Sequence, residues 1–317
     1  MTKTSQDTKP QTKAAAAPSA IVNNTILKLV LPKTETTREY QKALKKAASY
    51  VKAPGFRAGK TPLTIVEEKV GQDKLINQAL EQLLPSAYTQ LIKKEAKKPL
   101  TQPQISIVSA KVGEDWEVEI QIAEKPELKL GKYQELIKKA HLDAVKEIAK
   151  QEEELKRVEK TEKVDNQAKK AEPKTLSDSQ KEDLTLKTIF QKLVDQIKPQ
   201  IPELLIKEDV YRQLDELNYQ LKQYRLEFND FLEKRNLTFE QLTAQMAGVS
   251  LAALQVEFIL DEIIQDQKLT VSDQDYSEYL TKIESEKKLA DLDEHMKEHL
   301  SHTILRRKVV DFVLGLK

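Results

Sequence analysis

Gly59-Lys60-Thr61 is the first place in this 317-residue chain where residue types and spacing could do chemistry. A glycine-rich loop ending in Lys and Thr can cradle phosphates with its backbone N–H groups while the lysine reaches the terminal phosphate. That device needs four residues between its glycines and a buried strand ahead of them. Three residues separate Gly55 from Gly59, an amphipathic helical pattern precedes them and Pro62 follows the threonine. Nucleotide binding is therefore not expected. His295, His299 and His302 fall at i, i+4 and i+7 of a helical stretch, a spacing able to ligate a metal. They show no HExxH order and no cysteine completes a site, so a solvated helix face is expected. With no cysteine and four histidines, nucleophilic and acid–base triads have poor material. The abundant carboxylates are spaced as helix-surface charges. Neither enzymatic activity nor a cofactor is expected.

What remains is a recognition pattern. The chain has seven glycines, and two of them flank Phe56, Arg57 and Ala58, with Lys60 and Pro62 just beyond. Glycine tolerates φ > 0, so this spacing builds a tight exposed loop. A large aromatic between glycines, beside two cations, suits a docking tip for a partner both apolar and anionic. A net charge of +1 carries no global signal for polyanions, so any nucleic-acid contact must be local.

The elements that must position this loop follow from periodicity. Ile26 to Leu31 read as a strand. Thr36 with Glu39 is a capping box for a helix with the stripe Tyr40, Ala43, Leu44, Ala47 and Val51. Pro62 at the first helical position opens a short helix to Val70. Asp73 caps a longer one, kinked at Pro85, with Leu75, Ile76, Ala79, Leu80, Leu83, Ala87 and Leu91 on one face. Ile105, Ile107 and Val108 make a short strand. Trp116, Val118, Ile120 and Ile122 alternate with polar residues, the period of a half-buried strand. Residues 1–19 read as a disordered tail, and 20–130 as a small α+β domain with helices on one face of an antiparallel sheet.

Between Lys132 and Lys174 there are 12 Lys/Arg and 10 Asp/Glu in 43 residues, so 131–176 reads as a charged, solvated linker with i,i+4 pairs such as Glu153–Arg157. Residues 177–317 read as helical. Val210, Leu214, Leu217, Leu221, Tyr224, Phe228 and Phe231 keep a strict 4-3 spacing, the seam of one long helix in a coiled-coil hairpin. Thr238 with Gln241 and Ser272 with Asp275 mark further helix starts, and Leu289, Leu292, Met296, Leu300 and Ile304 a last helix. The fold class expected is an α+β N-terminal domain followed by a mainly α-helical, elongated arm domain. Aromatics of the helical part, above all Tyr224, Phe228, Phe231, Phe258, Tyr276 and Tyr279, are candidates for a promiscuous binding surface, with ordinary helix packing as the competing role of each. The first twenty residues lack an apolar core of a signal peptide, and no run of about 18 apolar residues reads as a membrane span.

Gly55-Phe56-Arg57-x-Gly59-Lys60-x-Pro62 resembles the ribosome-docking signature of the bacterial trigger factor family. Leu83-Leu84-Pro85 with Tyr88, the Pro-rich run from Pro99 to Ile107, and the later segments Ile201-Pro202-Glu203, Leu260-Asp261-Glu262 and Val271-Ser272-Asp273 are similar to it as well. The resemblance implies a ribosome-binding domain over 20–130 and a chaperone domain over 177–317. It implies a cytoplasmic, ATP-independent chaperone docked on the large subunit near the exit tunnel, contacting protein and rRNA through Gly55, Phe56, Arg57, Gly59, Lys60 and Pro62. Nascent and unfolded polypeptides would be its clients, no membrane its partner, and a homodimer when free stays open. Two departures stand out. Ala58 occupies the place of a family cation. The FKBP-type prolyl isomerase domain that normally separates the two parts has no counterpart, since 125–205 holds a single glycine, Gly131. The alternative from another class is an elongated helical scaffolding protein with a basic RNA-binding loop.

Overall fold

The computed structural model describes residues 20–56, 59–162, 175–282 and 293–316. The chain runs β1 (Ile21–Val22), β2 (Thr25–Leu31), α1 (Lys33–Tyr50), α2 (Leu63–Val70), α3 (Gln72–Lys94), β3 (Gln104–Ser109) and β4 (Trp116–Ile122). It continues with α4 (Tyr133–Glu162), α5 (Asp178–Ile197), β5 (Ile201–Pro202), α6 (Glu203–Gln223), α7 (Phe228–Lys234), α8 (Phe239–Asp266), α9 (Asp273–Lys282) and α10 (Glu294–Gly315). Contacts group these into two units, each discontinuous in sequence. One takes residues 23–127 and 202–254; the other takes 128–201 and 255–317 with the start of the chain.

The first unit is built on the antiparallel sheet β2-β4-β3. Leu27 faces Ile120, Leu29 faces Val118 and Leu31 faces Trp116 across the β2–β4 ladder. Period-2 alternation turns these six to one side, where the stripe of α1 (Tyr40, Ala43, Leu44, Ala47) and that of α3 (Leu75, Ile76, Ala79, Leu80, Leu83) close the core. The core stops at β4. Ile105 and Ile107 pair with Ile120 and Val118 yet stay exposed, so β3 is an edge strand that the helices do not cover.

Helix starts differ from the local signals. Helix α1 begins at Lys33, three residues before the Thr36 capping box. The Lys33 N–H donates to Asp115 Oδ1 at 2.6 Å, so a carboxylate from the turn before β4 does the capping. Thr36 is buried inside the helix and its hydroxyl donates to Lys33 O and Glu114 O. Pro62 is the residue before α2 rather than its first. Helix α3 starts from Gly71 without a side-chain cap, not from Asp73, and is continuous through Pro85.

The expected long seam through Phe231 is broken. Helix α6 ends at Gln223, Arg225 takes φ 55°, and α7 starts at Phe228. The Leu226 N–H returns to Leu221 O at 2.9 Å, a Schellman closure. Ala96, Asn236 and Lys268 do the same at φ 51°, 52° and 49°, with return bonds Lys97 to Ile92, Leu237 to Leu232 and Leu269 to Ile264. Glycine, and less often asparagine, is the usual occupant of this position, so the stops at Ala96, Arg225 and Lys268 leave no local sequence mark. Arg225→Gly is expected to raise stability by about 0.5 kcal/mol. That is the relief of ~1–2 kcal/mol of left-handed strain less ~0.4–1 kcal/mol of added unfolded-chain entropy. The urea midpoint reads it, and a decrease would contradict the strain argument.

In the second unit α4 packs along α5. Tyr133, Ile137 and Ala140 are buried with Ile189, Leu193, Ile259, Ile263, Val309 and Val313. His141 is buried too, its Nε2 2.9 Å from Val313 O. The solvated linker expected over 131–176 is therefore a packed helix from 133 to at least 144; its 4-3 apolar stripe is masked in the sequence by charges on the other faces. Asp143 pairs with Lys192, Glu152 with Lys181 and Glu153 with Arg157. Leu289 and Leu292 lie outside the described residues. The capping boxes at Thr238–Gln241 and Ser272–Asp275 form as expected.

Lys308 Nζ bonds Asp275 Oδ2 at 2.6 Å. That bond, with the Ser272 backbone N–H and hydroxyl, holds the Asp275 carboxyl down at about 2, below its ordinary 3.8. A depressed carboxylate contributes stability above its unfolded pKa and loses it as pH falls through the folded one. Thermal stability should thus drop between about pH 4 and pH 2, and Asp275→Asn should flatten that part of the profile. Parallel acid limbs for both proteins would contradict this role.

Candidate functional site

The loop joining α1 to α2 is closed at its base and held open at its tip. The Thr61 hydroxyl lies 3.5 Å from Val51 O, and Lys69 Nζ donates to Lys52 O at 2.9 Å. Ala53, Thr61 and Val66 are buried beneath it. Tyr40 OH donates to Glu67 Oε1 at 2.7 Å, tying α1 to α2. Burial, reinforced by Glu67, pushes that phenol above its ordinary range, so it stays a donor.

At the tip, the Phe56 N–H donates to Ala53 O at 3.1 Å. Pro54 and Gly55 occupy the middle of this turn, with Gly55 at φ 82°, the residue preference of a type II turn. Gly59 has φ 81°. No heavy atom lies within 4 Å of a Cβ built on either glycine, so their need is conformational rather than one of space. Phe56 is 43% exposed, and Lys60 and Pro62 are exposed beside it. Arg57 and Ala58 lie outside the described residues.

A charge pattern wider than the octapeptide surrounds this tip. From Tyr40 to Val66 there are six cations (Lys42, Lys45, Lys46, Lys52, Arg57 and Lys60) and no carboxylate. Lys45, Lys46 and Lys52 are exposed. The pattern is legible in the sequence as charge summed over 40–66, beyond the bounds of Gly55–Pro62. The arrangement can present one aromatic anchor within a positive field, which suits an apolar niche in an anionic surface.

The six aromatic candidates for client contact do not form one surface. Tyr224 is 78% exposed, while Phe228 and Phe231 are half-buried. Phe228 meets Phe239 edge-on at 6.2 Å, and the Arg235 guanidinium sits 4.8 Å from the Phe231 ring. Phe258, 6% exposed, is a correction: it lies on the packed side of α8, where the 4-3 rule cannot tell seam from surface. Tyr276 is half-buried, with its hydroxyl on Lys297 O. Tyr279 lines a cleft of about 310 Å³ among Glu278, Lys282, Arg307 and Asp311, charged rather than apolar. Exposed Tyr211, Tyr219 and Phe239 are further aromatic surface in the helical part. Among the described residues no group of three or more His, Asp or Glu could hold a metal ion, and no helix is long and apolar enough to cross a membrane.

Residues 19–158 match the pattern of the bacterial trigger factor protein, and residues 161–315 match the pattern of its C-terminus. The chain belongs to the bacterial trigger factor family. The trigger factors of Staphylococcus aureus strains JH9 and Newman are 34% identical to it over 144 residues, which are 45% of this chain and 31% of theirs. The aligned stretch thus spans about a third of the length of these curated relatives. A solved structure from work on promiscuous substrate recognition by the trigger factor chaperone in folding and assembly aligns over 93% of this chain and 98% of its own. Its TM-score is 0.53 at 14% identity, a likeness of fold. The two family segments nearly abut, at 158 and 161. The described residues on either side of that junction form α4 and α5.

Proposed function

We propose that this chain is a cytoplasmic, ATP-independent chaperone that docks on the large ribosomal subunit beside the exit tunnel and holds nascent or unfolded polypeptides, without prolyl isomerase activity. One observation carries the reading. Within a member of the trigger factor family, Phe56 stands half-exposed on a Pro-Gly turn clamped at its base, amid 27 residues holding six cations and no carboxylate. Gly55 and Gly59 set the loop shape. Phe56 and Pro62 enter an apolar niche of a ribosomal protein, and Arg57 and Lys60 meet acidic side chains or rRNA phosphate. Residues 20–130 serve docking. Residues 177–317 serve holding, through exposed aromatics such as Tyr224 with half-buried Phe228 and Phe231, a weak and adaptable surface of the kind promiscuous binders use.

The test is co-sedimentation of the purified chain with ribosomes, together with a proline-limited refolding assay. Co-pelleting that Phe56→Ala with Arg57→Ala abolishes is the expected result. Pelleting that ignores those substitutions would overturn docking by this loop. Catalysed refolding would overturn the holding-only reading.

A further inference from the structure

Pro99 to Ala110 contains no charged residue in a chain where 32% of residues are charged. Five apolar side chains in and beside this stretch are exposed: Leu100, Ile105, Ile107, Val108 and Val112. Surface apolar residues scattered singly need no explanation, but a contiguous run does. Strand β3 lies in the middle of it and forms one edge of the sheet, with β4 on its inner side. Ile105 and Ile107 sit on the face of Ile120 and Val118, beyond the reach of the helices that cover those partners. Among the described residues no backbone or side-chain bond is seen from the outer edge of Gln104–Val108.

An edge of this kind is ordinarily guarded by charge, above all lysine. Here the charge sits on the other edge strand, as Lys28 of β2, and on the central strand, as Glu117 and Glu119 of β4, while the β3 edge carries none. We infer that β3 is a docking strand for an extended, apolar segment of an unfolded polypeptide, which adds to the sheet next to β3 by backbone hydrogen bonding. The unpaired N–H and C=O groups accept any sequence, while Ile105 and Ile107 offer one apolar row and Val108 the opposite face.

Size selects this occupant over a second copy of the chain. Six residues make an edge about 20 Å long, and Pro103 and the register shift between Ile107 and Ser109 limit it at both ends. Such an edge buries far less than the ~1,200 Å² at which stable specific interfaces begin. Transient capture fits; a lasting dimer does not. The inference rests on the client-holding reading and assigns to it a site apart from the aromatic helices.

The test uses the full chain and a fluorescent, permanently unfolded apolar peptide. Ile107→Lys with Val108→Lys is expected to weaken peptide binding by about tenfold, as charge on an open edge does. Ribosome co-sedimentation and the melting midpoint should stay unchanged. A peptide N-methylated at alternate residues should lose affinity likewise, and amide exchange over 104–108 should slow on adding the unmodified peptide. If the unaltered chain binds peptide but the double variant binds equally well, the edge is not the site and client holding stands. If the unaltered chain binds no peptide, client holding fails first. A dimer in sedimentation that the double variant dissolves would make a second copy the occupant and overturn the inference.

Discussion

Phe56→Ala together with Lys60→Ala is expected to lower ribosome affinity about thirtyfold, the ~2 kcal/mol of a buried aromatic anchor lost at an interface. The same pair of changes should leave the unfolding free energy within about 0.5 kcal/mol of the unaltered chain, because surface substitutions away from packed features do little. Both halves follow from the loop. Its fold depends on the Val51–Thr61 and Lys52–Lys69 ties and on the Pro54-Gly55 turn, none of which uses the Phe56 ring or the Lys60 ammonium. Titration at two salt concentrations separates the contributions. Removing one cation from a phosphate contact lowers the salt slope by about one, whereas removing Phe56 alone leaves the slope intact. Unchanged affinity in the double variant would end the docking assignment.

Leu31→Ala is expected to destabilise the first unit by about 3 kcal/mol, within the ~2–5 kcal/mol of buried leucine truncations. Leu31 is 2% exposed and lies directly across from Trp116. Trp116 is fully buried, with Nε1–H donating to Lys111 O at 2.9 Å. It is also the one tryptophan of the chain, so its emission reports the unfolding of this unit alone. The denaturant midpoint of the red shift should fall while the acid limb set by Asp275 in the other unit keeps its shape. An unmoved midpoint would mean that the β2–β4 ladder is not where the unit's cohesion lies.

Much of this architecture is readable before any coordinates exist, and the rest is hidden for identifiable reasons. The alternation of Leu27, Leu29 and Leu31 and of Trp116 to Ile122 states which faces meet, since period 2 leaves no other choice. The start of α1 is hidden because its cap, Asp115, lies 82 residues away. The break after Gln223 is hidden because Arg225 takes a conformation glycine normally announces. The burial of Tyr133, Ile137 and Ala140 is hidden because helix-surface charge outnumbers the buried stripe in any window average. For the candidate site, Gly55, Phe56 and Gly59 are legible as a loop tip. The clamp at its base is not, since Thr61 and Lys69 bond to carbonyl groups, which every residue has. Buried Phe258 and exposed Tyr224 occupy similar aromatic positions in the sequence, and only packing tells them apart.

The β2–β4 ladder also sets a clock. Thr25 bonds Glu124, 99 residues further along the chain, so the first long strand to be synthesised has no partner until the whole α1-to-β3 stretch has followed it. At ~5–20 residues per second that is a wait of about 5–20 s, during which an apolar strand must stay out of wrong pairings. A protein proposed to shelter unfinished chains thus passes, during its own synthesis, through the vulnerable interval it would guard in others.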